Sequence, residues 1–110
     1  EKPRQTTSAR MRPDVQLASG IKGGLLISEK LQVAVFDLMP GATLPTHAHD
    51  NEQFTLIAEG DVHAFIAGSS HRVAERFVIH VPPQVSHGMT AGSKGARIVT
   101  VQDTRFAFCG

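Results

Sequence analysis

His47-Ala48-His49 places two imidazoles at i and i+2, and on a β-strand such residues leave from one face, so both rings can reach a single metal ion. A lone HxH is more often a pair of hydrogen-bonded strand histidines. Pro82-Pro83-Gln84-Val85-Ser86-His87 adds a third imidazole at the start of a later strand, and its two prolines fix φ and set where His87 points. A fourth donor comes from Gln53 or Glu52. Gln53 has the parity of His49 if the strand direction resumes after Asp50-Asn51; Glu52 has the opposite parity, although a carboxylate is the more obvious ligand. A β-bulge at Asp50-Asn51 would reverse the choice. Three imidazoles and one oxygen leave coordination positions open, as a catalytic site requires. The expected cofactor is one divalent transition metal ion: Ni, Zn, Mn or Fe.

The elements that must carry these residues read as strands. Lys30 to Met39 alternates Leu31, Val33 and Val35 with Ala34, Phe36 and Leu38, two apolar faces that suit a strand covered on both sides. Further short runs span Thr43 to His49, Gln53 to Ala58, Val62 to Ala67, His71 to Glu75, Phe77 to Val81, His87 to Thr90 and Arg97 to Gln102. Between them stand Pro40-Gly41, Glu59-Gly60-Asp61, Gly68-Ser69-Ser70 and the run Gly92 to Gly95. No helical period is convincing, so the expectation is an all-β sandwich or barrel. Residues 1–14 are polar and basic with no apolar period and read as an arm; residues 15–110 form the barrel domain.

With 110 residues there is room for one core, so a site must lie inside it, at its mouth or across a subunit interface. A net charge of +1 with no basic stripe, and six Phe without Trp or Tyr, argue against a nucleic-acid partner. No apolar run approaches a membrane span. The single Cys109 permits no internal disulfide, which together with the lack of a visible signal peptide points to the cytoplasm.

Gly41 to Gly60 resembles the first cupin motif, G(X)5HXH(X)3,4E(X)6G, with Gln53 at the first permitted Glu position. The count to Gly60 fits from Gln53 and fails from Glu52. Pro82 to His87 resembles the second motif, G(X)5PXG(X)2H(X)3N, but has Arg76 near the first glycine position, Gln84 at the second and Ala91 where Asn is usual. The resemblance implies a cupin jelly-roll barrel of two antiparallel sheets, with the metal held inside by His47, His49, Gln53 and His87. Cupins of this size are commonly homodimers, sometimes exchanging N-terminal strands.

A glutamine ligand leaves the ion's double charge uncompensated, so the ion is a stronger Lewis acid and attracts an anionic substrate. HXH(X)3Q stretches are similar to those of small cupins that convert unsaturated uronic acids to open-chain ketoacids. In those enzymes an Asp and an Arg assist; the Asp position falls on Thr100, and Arg105 is near the Arg position. Arg105 and His63 are therefore the catalytic candidates, for carboxylate binding and proton transfer, each weighed against an ordinary surface or core role. Arg97 is a further carboxylate anchor, while His80 and His71 read as structural and exposed. The expected activity is a metal-dependent lyase or isomerase acting on a polar carboxylated or sugar-like small molecule. The alternatives are an Fe-dependent dioxygenase and a non-enzymatic sugar-binding cupin.

Overall fold

The inward residues of strand β3 (Leu31–Leu38) are Gln32, Ala34, Phe36 and Leu38, all buried, in strict alternation with more exposed neighbours. That alternation repeats through the computed structural model, which describes residues 10–109. The remaining strands are β1 (Arg12–Ala18), β2 (Ile21–Ile27), β4 (Thr43–His47), β5 (Gln53–Ile66), β6 (Ser69–Ala74), β7 (Val78–Val81) and β8 (His87–Asp103). Every pairing is antiparallel, in the order β1-β2-β3-β8-β5-β6, with β4 added on β8 and β7 on β5. No helix occurs among the described residues, so none is there to cross a membrane.

β5 and β8 are long enough to serve two layers. The first half of β5 pairs with the second half of β8, beside β3 and β7; the second half of β5 pairs with the first half of β8, beside β4 and β6. Between the halves the register shifts twice, around Glu59 and Asp61, and the strands bend. Gly60 has φ 77° there, and a Cβ on it would meet the Gly95 carbonyl oxygen, so only glycine fits. The two layers enclose an interior, as the jelly-roll expectation required.

Three sequence expectations are corrected. Glu59-Gly60-Asp61 and Gly92 to Gly95 bend strands rather than end them, so four expected strands are two. β1 begins at Arg12, inside the expected arm, and Arg12 pairs with Leu25 of β2; residues 1–9 lie outside the described residues. β3 is covered on one face only, since Leu31 is 58% exposed and Val33 and Val35 are half-buried within the single chain.

Register divides the interior into rows. Phe36, Ile98 and Ile57 lie abreast on β3, β8 and β5; the next row is Ala34, Thr100 and Thr55; the next is Gln32, Gln102 and Gln53. All nine are buried, so the interior runs from apolar to amide along three adjacent strands.

Candidate metal centre

The histidines gather at the amide end. His47 closes β4 and pairs in register with His87, the first residue of β8, while His49 stands on the loop leading to β5. Ring centroids lie 4.5 Å apart for His47 and His87, 4.7 Å for His49 and His87, and 5.4 Å for His47 and His49. All three rings meet, although the expected strand Thr43 to His49 ends at His47 and His49 reaches the place from a loop rather than by strand parity.

Each ring is held the same way. Nδ1 of His47 donates to the Pro45 carbonyl (2.8 Å), that of His49 to the Asn51 carbonyl (3.1 Å) and that of His87 to the Val85 carbonyl (2.9 Å). A carbonyl can only accept, so the proton of the neutral ring sits on Nδ1 and the lone pair on Nε2. For His47 and His49 that Nε2 is buried and has no hydrogen-bond partner. A buried imidazole nitrogen left unpaired is costly, and a cation is the partner that suits two convergent lone pairs. The donor set therefore fits a transition metal ion. Burial lowers the pKa of His49, assisted by the neighbouring His47 and opposed by contacts with Asn51 and Gln53, which favours the neutral, ligating ring.

The choice between Glu52 and Gln53 follows from where they point. Glu52 is exposed, and its carboxylate lies 2.8 Å from Nε2 of His80, whose ring stacks on Phe54. Gln53 is 2% exposed and faces inward; Asp50-Asn51 lie in a loop between β4 and β5, so its burial rather than parity with His49 decides the choice. Its Oε1 accepts from Gln102 Nε2 (2.7 Å), and its Nε2 donates to Thr55 Oγ1 (3.0 Å), which bonds Thr100 Oγ1 (3.0 Å). An amide oxygen has two lone pairs, so Gln53 can accept from Gln102 and still offer a donor to an ion.

The loop before His87 keeps its shape without the motif glycines. Gln84 has φ 64° and Arg76 has φ 71°, so both occupy the left-handed conformation that glycine would supply at those motif positions. Gln84 is tied down twice: its backbone N–H donates to the His49 carbonyl (2.8 Å), and its side chain bonds Asp50. The loop of His87 is thus fastened to the loop of His49.

The catalytic candidates are exposed rather than buried with the histidines. His63 is exposed, on the face of β5 opposite the buried Val62 and Ala64, so it does not line the interior. Arg105 is exposed, 3.7 Å from Asp103 Oδ1 and over the Phe106 ring. Arg97 is also exposed and pairs with Asp37 (2.8 Å) and Glu59 (3.7 Å), which raise its pKa. His71 is exposed, as expected. Thr100, at the expected acid position, is buried against Thr55. Among the described residues no carboxylate is buried; the buried polar side chains are Gln32, Asn51, Gln53, Thr55, His87, Thr100 and Gln102.

One residue at the centre was not anticipated. The segment after β8 turns back, and Cys109 brings its Sγ within 4.8 Å of ligand nitrogens of His47 and His49, which themselves lie within that distance of each other. The sequence offered only an unpaired cysteine far from any motif.

Two antiparallel layers with histidines converging between them define a cupin-type site. The cupin domain family profile matches residues 34–102, and the chain belongs to the cupin family. The sequence matches none of the curated proteins. Among solved structures, KdgF from Halomonas sp. aligns with 16% identity over 91% of this chain and 96% of its own, at a TM-score of 0.80. The polyketide cyclase RemF from Streptomyces resistomycificus aligns with 18% identity over 93% and 80%, at 0.75. A point mutant of salicylate 1,2-dioxygenase from Pseudoaminobacter salicylatoxidans, in complex with gentisate, aligns with 14% identity over 80% of this chain but 26% of its own, at 0.75. At such identities the likeness establishes the fold.

Proposed function

We propose that this cupin is a metal-dependent enzyme of lyase or isomerase type, acting without redox chemistry on a polar carboxylated or sugar-like small molecule. The observation that carries the reading is the neutral interior: the rings of His47, His49 and His87 meet, Gln53 is buried, and among the described residues no carboxylate is buried. His47, His49 and His87 would hold the ion, with Gln53 offering its second lone pair. When bound, the ion would supply Lewis-acid polarisation of a carbonyl or enol oxygen, with no charge on its imidazole and amide donors. The same uncompensated charge favours an anionic substrate. Arg105, exposed and only loosely paired with Asp103, is the proposed anchor for a substrate carboxylate. His63 is not retained, because it faces outward. RemF, a polyketide cyclase, supports the view that this fold serves such chemistry.

The dioxygenase among the structural neighbours supports the alternative, since three imidazoles also suit Fe(II). Turnover of a sugar-acid panel, followed under air and under argon with several divalent metals, separates the two. Equal rates without oxygen uptake are expected. Turnover only with Fe(II), with oxygen consumed, would replace the lyase or isomerase reading.

We also propose that the chain acts as a homodimer. Leu26, Val33, Val101 and Phe54 lie abreast on the outer face of β2, β3, β8 and β5, with Leu31 exposed beside them. Apposition of two such faces about a two-fold axis covers both. Light scattering is expected to give a dimer that Phe54→Asp dissociates; a monomeric wild type would contradict this.

A further inference from the structure

The interior amides at the polar end are spent on the segment that follows β8. Gln32 Nε2 donates to the carbonyls of Asp103 and Phe106 (2.9 Å each), and Asn51 Nδ2 donates to the same two oxygens (3.2 and 3.1 Å). Gln102 grips Cys109 from both sides, donating to its carbonyl (2.6 Å) and accepting from its N–H (3.3 Å). Phe108 packs against the apolar core, its ring 6.0 Å from that of Phe36. Three buried side chains and an aromatic contact thus fix where Cys109 stands.

They fix it beside the two buried, partnerless nitrogens. Sγ of Cys109 and the ligand nitrogens of His47 and His49 all lie within 4.8 Å of one another. Imidazole and thiolate bind a metal at about 2.0–2.3 Å, so donors on one ion stand at most about 4.4 Å apart; small side-chain rotations suffice here.

We propose that Cys109 is a thiolate ligand of the same ion as His47 and His49, and that segment 104–109 is a strap carrying this donor to the centre. The inference rests on the metal reading above. As the sulfur–metal bond forms, the S–H proton leaves to solvent, so loading releases one proton through this residue. The thiolate gives a neutral donor set its one negative charge and biases the site toward softer ions such as Zn²⁺ over Mn²⁺.

Cobalt(II) loading tests this, because visible d–d bands report any coordination by the protein whereas a near-ultraviolet sulfur-to-cobalt band reports thiolate alone. The wild type should show both, and Cys109→Ser should lose the near-ultraviolet band while keeping d–d absorption. Alkylation of the chain's one cysteine supplies a second readout on unmutated protein, slowing several-fold when cobalt is bound. Bands of d–d type with no sulfur band, and unchanged alkylation, would overturn the thiolate ligand and leave the histidine site standing. No protein-bound cobalt spectrum at all would overturn both.

Discussion

The two ends of the barrel interior are built on the same three strands and do opposite things. Around Phe36, Ile57 and Ile98 every side chain is apolar, and what is buried needs no partner. One row on stand hydroxyls, and two rows on three glutamines, beside histidines with unanswered nitrogens. The apolar end stabilises the fold by removing surface from water. The polar end must satisfy every amide, and it leaves two nitrogens unsatisfied where a cation would sit. Apolar burial is concentrated at one end and the candidate metal centre at the other.

Substitutions can break that contrast. Phe36→Ala should cost about 3–5 kcal/mol in denaturant unfolding, as large-to-small core changes do. His47→Ala should move the stability of the metal-free chain by less than about 1 kcal/mol, since it removes one hydrogen bond and one unpaired buried nitrogen together. The same variant should lose the stabilisation by metal, about 2.7 kcal/mol at a hundredfold excess over Kd. A large loss in the metal-free variant would mean that the histidines hold the fold. Gln102→Leu should cost about 1–3 kcal/mol, because Gln53 and Cys109 lose their buried partner; it should also speed alkylation of Cys109.

Acid acts on the polar end through His49. The folded-state pKa of His49 lies below its ordinary 6.5, so between those two values the unfolded chain binds a proton that the folded chain does not. Above 6.5 this group leaves stability unchanged. As pH falls through 6.5 stability should decline, and His49→Gln should flatten that part of a pH-dependent unfolding series. The smallest expected effect is Arg76→Gly. A left-handed non-glycine residue costs roughly 1–2 kcal/mol, and the added freedom of the unfolded chain returns about 0.4–1, so a gain of about 0.5–1 kcal/mol is expected from thermal unfolding.

The sequence made the histidines legible because their relation is local: His47 and His49 are two residues apart, at the end of β4 and on the loop after it, and a proline-set loop leads to His87. Gln53 was preferred to Glu52 by expected parity with His49. The glutamine row was not legible, because it exists only through the register of β3, β8 and β5, and no local spacing encodes that register. Cys109 was missed for the same reason, since its place depends on a chain reversal held by Gln32, Asn51 and Gln102. Gly60 in mid-strand looks like a glycine that ends a strand, so β5 was read as two. Gly23-Gly24 hid β2, although Gly23 is required where a Cβ would strike the Val35 carbonyl. Arg76 and Gln84 departed from the motif in residue type but not in conformation.

The most direct test is the metal-to-protein ratio after loading and desalting of chain purified without a metal-binding tag, in the wild type and in His87→Ala. The wild type should retain about one transition metal ion per chain and the variant almost none. Equal ratios in the two, or none in the wild type, would contradict a metal centre at the polar end of the barrel.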